Sequence, residues 1–595
     1  MASRRPIDYC SVAGTLSGTC DEVVERGKPG TKTGAPDPTL TMASARRGFK
    51  MHDREEVGFV RTRANPRPLV SSLLIAMVSL SASNLAPGQV TVKPKAMPEI
   101  ARVDARFVSY NVEAVEVTGG QFWKPFGPEL EALMAAASQA KHASGQAPTM
   151  DRNLYFQYRK PIDLRNPRLQ NLAAALAPAY IRVSGTWRNS VYFQDNDEPP
   201  MSTPPKGFNS VLTRTQWKGV IDFAHATGSE IVASVTTSAG TRDSKGLWTS
   251  DQAKAFFDFT KRAGGHITAT EFMNEPTYAE YGGAPHGYDA AAFAKDVTVF
   301  KQFLRSESPT TVLLGPGGVG EAVPTLEGAP AQRIIHSEDI MKATGPVFDV
   351  FSYHVYGTVS RRCATALGPN AGMSPEKALT VAWLNKGKVV EQFYAKMRDA
   401  YLPGKPLWLT ESGEASCGGD RWAAEFIDSF RYMDQLGSLA QKGVQTVMQN
   451  TLASSDYGLL DEDTFSPRPN YWAALLWKRT MGTRVLDPSI PSDPALRIYA
   501  QCMKGTRGGV SILVLNVDRT TEQELRIPIA GERYTLSAPD LLGKTVFLNG
   551  AELAVGEDGT LPKIAGQPIK AGDVHFAPLT ITFIVLPTTR NANCM

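Results

Sequence analysis

The feature that most constrains the fold of this chain is a series of eight β-rich segments, each followed by a helical pattern or by a loop that leads to one. The segments begin at Phe107, Tyr180, Glu230, His266, Thr311, Phe348, Pro406 and Val444. In the stretches between them, such as "SDQAKAFFDFTKRAG", apolar residues recur at intervals of three and four, which indicates amphipathic helices. Eight such alternations over roughly 370 residues predict a (β/α)8 barrel, the TIM-barrel fold.

The pattern changes after "NYWAALLWKRTMG", which ends at Gly482. Short alternating strands follow, among them "VSILVLNVD" and "LTITFIVLP", and Gly, Pro and Asp turns separate them. We therefore predict a barrel over residues 106–482 and a C-terminal β-sandwich over residues 483–595. Residues 84–105 are expected to form an N-terminal strand that joins the sandwich.

Residues 1–83 are predicted to be a leader. The first part is rich in Gly, Thr, Ser, Arg and Pro, which indicates disorder or a misplaced start codon. Three arginines between positions 61 and 67 then precede the apolar stretch Leu69–Leu80, and small residues follow at 81–83. That order is typical of a signal peptide, and the stretch is too short to span a bilayer comfortably. We expect a secreted or periplasmic protein without stable membrane insertion.

The charge is unevenly distributed. Residues 1–83 hold 12 Lys and Arg against 8 Asp and Glu, and the rest of the chain holds 51 of each. A neutral body has no broad basic field for nucleic acid, so nucleic acid is not an expected partner. An acidic partner would have to be bound by a local group of cations.

Two glutamates stand where a barrel displays catalytic groups, at the carboxyl ends of strands. Glu275 ends the fourth segment within "EFMNEP", where Asn and Pro stop the strand, and Glu411 lies in the seventh within "LWLTESGE". Glycoside hydrolysis needs such a pair, since one carboxyl protonates the leaving oxygen and the other attacks or activates water. Other strand ends carry polar residues, namely Glu113, Thr186, His354, Tyr356 and Asn450.

Other chemistries find less support. The sequence has no His-Glu-x-x-His, and its eight histidines are dispersed, so we expect neither a metal nor a cofactor. "GPGGVG" precedes prolines instead of a helix start, which favours an ordinary loop over a dinucleotide site. No Gly-x-Ser-x-Gly elbow supplies a serine nucleophile. A non-enzymatic carbohydrate-binding or adhesion module remains an alternative.

Five stretches carry a resemblance to a known family: "YIRVSGTWRNSVYF", "EFMNEP", "FDVFSYHVYG", "LWLTESGEASCGG" and "SSDYGLLDEDTFSPRPNYWAALLWKRTMGTRVL". From about Phe107 to Met595 the chain resembles glycoside hydrolase family 79, the heparanases and related β-glucuronidases. The resemblance implies a retaining hydrolase of β-D-glucuronosyl linkages. Only about 30 residues separate Thr186 from the helix predicted at Thr215, which is too few for an excised linker, so we expect activity as one polypeptide. Glu275 would be its acid/base and Glu411 its nucleophile.

The same resemblance assigns binding residues. Asn274 would hold the hydroxyl next to the anomeric carbon, and Tyr457 with backbone groups around Gly418 and Gly419 would receive the uronate carboxylate. The chain departs from the family at Ser416 and Cys417, which occupy the places of an aromatic residue and a first glycine. Further residues expected at the site are Glu113 and Thr186 in the same subsite, Tyr356 beside the nucleophile, and His354, for which a buried structural role is the alternative.

Four cysteines remain beyond the leader, and an even number in an exported chain suggests two disulfides. Pairing Cys502 with Cys594 would tie the terminal segment onto the sandwich, as in the family that the chain resembles. Cys363 and Cys417 would brace the nucleophile loop if they paired, and two free, partly buried thiols are the alternative.

The expected partner is an acidic polysaccharide, a glucuronate-containing glycosaminoglycan of the heparan type that a heparanase-like endo-β-glucuronidase would cleave. The support is Arg361 and Arg362 in the loop after the sixth strand, because guanidinium groups suit sulfate and carboxylate. Ion pairs with neighbouring loop acids are the alternative, and the acidic loop from Asp195 would repel a polyanion. An exo-acting β-glucuronidase on small or terminal glucuronides is the alternative function.

Overall fold

The computed structural model describes residues 90–144, 152–322, 334–364, 373–491 and 493–595. The predicted leader and signal peptide lie outside these ranges. Within them, every helix is too short or too polar to cross a membrane.

Eight parallel strands close into a barrel, which confirms the predicted TIM-barrel fold. The first to eighth barrel strands are Val108–Glu113, Ala179–Ser184, Ser229–Ser234, Ile267–Glu271, Val312–Gly318, Val350–Val359, Leu407–Ser416 and Thr446–Gln449. Almost every residue in them is buried, because the strands face side chains on the inside and helices on the outside. Six of the eight begin within the segments that the apolar patterning marked, and the other two, at Ala179 and Ser229, begin one residue before them.

Amphipathic helices surround the barrel, as the three- and four-residue spacing predicts. One of them begins at a capping box between Thr213 and Gln216 and ends at Gly228, where φ is +63°. The longer helices are Pro128–Ser144, Pro167–Ala174, Arg214–Thr227, Asp251–Arg262, Ala290–Glu307, Ser337–Thr344, Lys386–Tyr401, Phe426–Gln441 and Pro469–Thr480. Short helical turns span Ala114–Thr118, Arg152–Tyr155, Arg361–Ala364 and Val381–Leu384.

An antiparallel region follows the barrel. Nine strands form its main sheet: Glu99–Arg102, Met481–Leu486, Leu496–Met503, Val510–Asn516, Thr580–Leu586, Gly531–Ser537, Phe547–Leu548, Ala551–Glu552 and Gln567–Ile569. A separate pair, Gln523–Ile527 with Gly572–Phe576, contributes Leu525 and Val574 to one buried cluster with Ile512 and Val514 of the main sheet. The two layers share a core, as in a sandwich.

The N-terminal part of the described chain belongs to this C-terminal sheet. Glu99–Arg102 pairs antiparallel with Met481–Leu486. The amide of Asn591 donates hydrogen bonds to the carbonyls of Pro94 (2.8 Å) and Met97 (2.9 Å). Segments from the two ends of the described chain are therefore bound to each other.

Two disulfides are present. Cys502 pairs with Cys594 and joins the strand Leu496–Met503 to the last turn of the chain. Cys363 pairs with Cys417 and joins the short helix Arg361–Ala364 to the residue that follows the seventh barrel strand. Because Cys363 and Cys417 are bonded, they are not the free thiols that the sequence left open.

Candidate active site

The structure brings the two predicted glutamates together at the carboxyl end of the barrel. Glu275 follows the fourth strand, begins a short 3-10 turn and has a left-handed backbone, with φ +48°. Glu411 lies within the seventh strand. One carboxylate oxygen of each glutamate and one ring nitrogen of His354 all lie within 4.8 Å of one another.

Glu411 is surrounded by groups that favour its ionised form. Its Oε2 accepts a hydrogen bond from Arg182 Nη1 (2.9 Å), and its Oε1 accepts one from the Tyr356 hydroxyl (2.6 Å). Burial by itself would raise the pKa of this carboxyl, but the charges of His354 and Arg182 and these hydrogen bonds lower it below the usual value. Glu411 is therefore poised as a carboxylate.

The surroundings of Glu275 favour its protonated form instead. Burial and the neighbouring Glu411 raise the pKa of its carboxyl, and the hydrogen bond that joins its Oε1 to His354 Nδ1 (2.9 Å) offsets this only in part. Two titratable groups with pKa values pushed in opposite directions are suited to act as an acid and a nucleophile. His354 is buried and lies within reach of both glutamates, at 2.9 Å from Glu275 and 3.7 Å from Glu411.

Arg182 forms hydrogen bonds with several side chains at the inner side of the site. It was not among the site residues predicted from the sequence. It lies in the middle of the second strand and is fully buried. Its guanidinium donates to both oxygens of Glu271, with a closest distance of 2.8 Å, and to the Asn274 Oδ1 (2.8 Å). The cue was available in "YIRVS", because an arginine inside an apolar barrel strand needs buried carboxylates as partners.

Asn274 is fixed on both sides. Its N–H donates to Asn189 Oδ1 (2.9 Å), and its carbonyl accepts from Asn189 Nδ2 (3.0 Å). Its own Nδ2 is buried and has no partner among the described residues. That amide is positioned to donate to a bound hydroxyl.

A second cluster meets at Asn450, after the eighth strand. The Asn450 amide donates to Glu113 Oε1 (3.1 Å), to the Tyr356 hydroxyl (3.0 Å) and to the Tyr457 hydroxyl (3.1 Å). Burial and the nearby charge of Glu411 raise the pKa of Glu113 well above its ordinary value. The sequence pointed to Asn450 only as a polar strand end and gave it no role.

The remaining predicted site residues lie around this cluster. Gly185 passes so close to Glu113 that an added Cβ would lie 1.6 Å from Oε2, and Thr186 follows it, half-buried, at the start of a short turn. Gly418 accepts a hydrogen bond from the Asp456 N–H (2.9 Å). A Cβ on Gly419 would lie 3.0 Å from the backbone nitrogen of Tyr457, so a larger residue would disturb this packing.

The prediction that Arg362 overlooks the cleft is wrong. Its side chain is fully buried, forms an ion pair with Asp456 and donates to the carbonyls of Lys124 (2.7 Å) and Gly419 (2.5 Å). Arg361 is about half exposed, at 49%, and lies 3.4 Å from Asp420. Position in a loop did not indicate side-chain direction, and the alternative of ion pairs with loop acids describes both arginines.

The acidic loop from Asp195 is also engaged within the protein. Asp195 accepts from Arg214 (2.8 Å) and Arg262 (3.2 Å), and Asp197 accepts from Arg214 (3.0 Å). These pairs reduce the repulsion that the loop was expected to exert on a polyanion.

Glu275, His354 and Glu411 have the donor atoms of a metal site, but their contacts do not suit one. Both oxygens of Glu411 already accept hydrogen bonds, and one donor is the guanidinium of Arg182. A fixed positive charge at that distance opposes a bound cation. The three side chains fit proton transfer and nucleophilic attack better.

Comparison with known proteins defines the class. The model of the glycosyl hydrolase family 79 N-terminal domain matches residues 160–437, a range that contains both glutamates. The chain is therefore a glycoside hydrolase, and the non-enzymatic alternative falls. The matched range lies within the barrel and agrees with the resemblance to family 79.

Relatives cover most of the chain. It is 28% identical to mouse heparanase over 509 residues, which cover 75% of this chain and 90% of that protein. It is 26% identical to heparanase-like protein 1 of Arabidopsis thaliana over 497 residues (73% and 86%). It is also 26% identical to the baicalin-β-D-glucuronidase of Scutellaria baicalensis over 470 residues (72% and 84%).

Solved structures support the fold. A 4-O-α-L-rhamnosyl-β-D-glucuronidase from Fusarium oxysporum aligns with a TM-score of 0.55 at 11% identity, covering 84% of this chain and 99% of that one. An α-L-arabinofuranosidase from Thermotoga maritima aligns with a TM-score of 0.55 at 15% sequence identity, and the alignment covers the same shares of the two chains. The barrel and its β-domain are thus shared with enzymes of different named substrates.

Proposed function

We propose that the protein is a retaining β-glucuronidase in which Glu411 is the nucleophile and Glu275 the acid/base. The observation that carries the proposal is the close approach of the two carboxyl groups, with oxygens within 4.8 Å, combined with opposed pKa shifts. Retaining enzymes hold their carboxyl groups about 5–5.5 Å apart, whereas inverting enzymes keep about 6.5–9.5 Å to admit a water molecule.

The first half of the reaction forms a covalent intermediate. Glu411, kept ionised by Arg182 and Tyr356, attacks the anomeric carbon. Glu275 gives its proton to the departing glycosidic oxygen, so the aglycone leaves as a neutral alcohol. A glucuronyl ester of Glu411 results, with inverted configuration.

The second half releases the sugar. Glu275, now a carboxylate, removes a proton from water as that water attacks the anomeric carbon from the side that the aglycone vacated. The ester bond to Glu411 breaks, the second inversion restores the β configuration, and Glu275 regains its proton. Burial and the returning charge of Glu411 favour that reprotonation.

Recognition of a uronate rests on the groups beside Tyr457. Among the described residues, none accepts a hydrogen bond from the N–H of Gly418 or Gly419. These donors, with the Tyr457 hydroxyl, are suited to a carboxylate that reaches the cluster around Asn450. Two relatives are named as a heparanase and a baicalin-β-D-glucuronidase, which agrees with a glucuronide substrate.

The test is hydrolysis of an aryl β-D-glucuronide followed by proton NMR. The β-anomer of glucuronic acid should appear first and mutarotate later. Appearance of the α-anomer first would contradict retention. Absence of turnover on glucuronides, with turnover on another aryl glycoside, would contradict the substrate class.

As the polymeric substrate we propose an internal glucuronate of a heparan-type glycosaminoglycan, supported by the exposed Arg361 and by the heparanase relatives. The burial of Arg362 favours the second candidate, an exo-acting β-glucuronidase, because it removes half of the basic pair expected to hold sulfate groups. Size-exclusion chromatography of digested heparan sulfate separates the two. Fragments of intermediate length support endo action, and free glucuronate alone supports exo action.

A further inference from the structure

Arg362 has more contacts than an ordinary structural ion pair needs. Besides the ion pair with Asp456, its guanidinium donates to the carbonyls of Lys124, Gly419 (2.5 Å) and Cys417 (3.3 Å). It also lies 4.0 Å over the ring of Phe126. Arg362 therefore joins three separate loops: one after the first barrel strand, one after the seventh and one after the eighth.

The loop after the seventh strand needs such external support. Cys417, Gly418 and Gly419 all have left-handed backbones, with φ of +60°, +85° and +77°. A non-glycine residue in that region persists only where its surroundings fix it. Here the surroundings are the guanidinium on two of its carbonyls, the disulfide from Cys417 to Cys363, and the Asp456 N–H on the Gly418 carbonyl.

This loop and Tyr457 carry the donors that the proposed function assigns to the uronate carboxylate. Arg362 holds the carbonyl of Gly419 and the carboxylate of Asp456, the residue before Tyr457. The Tyr457 hydroxyl lies 3.1 Å from the Asn450 amide, which also touches Tyr356 beside the nucleophile. The arginine thus reaches both halves of the subsite without facing the cleft.

We infer that Arg362 is the positioning residue of the carboxylate subsite, with the Cys363–Cys417 disulfide as its second anchor, so that together they determine the preference for a uronate over an uncharged sugar. The inference rests on the proposed function. A lysine cannot replace the arginine, because it offers a point charge and three donors, whereas the guanidinium presents five donors in a planar fork.

The experiment compares 4-nitrophenyl β-D-glucuronide with its methyl ester, which has the same ring but no carboxylate. In Arg362→Lys, kcat/KM for the glucuronide should fall about 30-fold, mainly through KM, because the donors lose their alignment on the anion. The value for the ester should change much less. If the ester turns over too slowly, its inhibition constant against the glucuronide serves instead.

Arg242→Lys is the matched control. Arg242 is likewise a buried guanidinium, paired with Asp296 (2.7 Å) and donating to the carbonyls of Gly246 (3.0 Å) and Thr237 (3.1 Å), away from the subsite. This variant should lose thermal stability much as Arg362→Lys does. Its ratio of kcat/KM for the glucuronide to kcat/KM for the ester should stay at the wild-type value. The double variant Cys363→Ser/Cys417→Ser should lower that ratio in the same direction as Arg362→Lys, but by less.

Each outcome has a separate meaning. A wild-type enzyme that does not cleave the glucuronide contradicts the proposed function itself. An active wild type whose Arg362→Lys variant loses both activities equally, with an unchanged ratio, overturns the positioning role. If Arg362→Lys does not fold, Arg362→Met with Asp456→Asn removes both buried charges together. Should that also fail, the ratio of the cysteine double variant decides.

Discussion

The surroundings of Glu411 and of Glu275 differ although the two side chains are chemically identical. Glu411 receives hydrogen bonds on both oxygens, one of them from a buried guanidinium, whereas the Glu275 side chain has one hydrogen bond among the described residues, to His354. Glu275 is also the more open of the two, with 18% of its side chain exposed against 7%. The number and charge of the donors, not the residue type, shift the pKa values of the two glutamates in opposite directions.

The largest loss is expected from Glu411→Gln. The amide cannot attack the anomeric carbon, so turnover of an aryl glucuronide should fall by about 10⁴-fold or more. A 2-deoxy-2-fluoro glucuronide with a good leaving group should label the wild type at this residue and leave the variant unlabelled in mass spectrometry. Labelling of the variant would show that the nucleophile is a residue other than Glu411.

Glu275→Gln should cost less, about 10²- to 10⁴-fold, because proton transfer is lost but the nucleophile remains. With a dinitrophenyl leaving group, which needs no proton, the intermediate should still form and then hydrolyse slowly. Stopped-flow kinetics should show a burst of phenolate followed by a low steady rate. A burst-free, uniformly slow reaction would argue against the acid/base role.

The pH dependence of kcat/KM in the His354→Gln variant tests how His354 affects the pKa values of the two glutamates. In the proposed mechanism, activity requires Glu411 ionised and Glu275 protonated. The rate should therefore fall when the pH drops through the lowered pKa of Glu411, and also when the pH rises through the raised pKa of Glu275. His354 lowers both pKa values, and its removal should therefore move both limbs of kcat/KM to higher pH. A shift of one limb alone would show that His354 acts on a single glutamate.

The smallest effect on activity is expected from Arg361→Ala, because this residue contacts neither of the two glutamates. A half-exposed guanidinium adds little, so KM for heparan sulfate should rise only about 2- to 5-fold at low salt, and the difference should shrink as salt increases. An aryl glucuronide should be unaffected. Equal losses on both substrates would remove the sulfate-binding role.

The sequence predicted the parts of the molecule that depend on local pattern. Apolar runs and strand-ending residues located the barrel strands and placed Glu275 and Glu411 at one end. Strands such as Gly531–Ser537 and Gly572–Phe576 were not predicted, because they are partly exposed and their apolar alternation is weak.

The sequence did not predict which side chains pair when they lie far apart along the chain. Arg182 and Glu271 are 89 positions apart, and only the closed barrel shows that they share one buried pair. Arg362 was assigned to the surface for the same reason, since its partner Asp456 lies 94 positions away. Side-chain direction in a loop follows from such partners and not from the loop's own residues.

The pairing of Glu99–Arg102 with Met481–Leu486 bears on how the chain is made. The first of these strands leaves the ribosome roughly 380 residues before its partner, which corresponds to about 20–75 s of translation. During that time it has an unpaired edge and needs protection from other nascent chains. Synthesis that stops after Gln449 but before Met481 would leave all eight barrel strands in place and the N-terminal strand without its partner, so the short stretch between these two residues separates a barrel with an open edge from one whose first segment is paired.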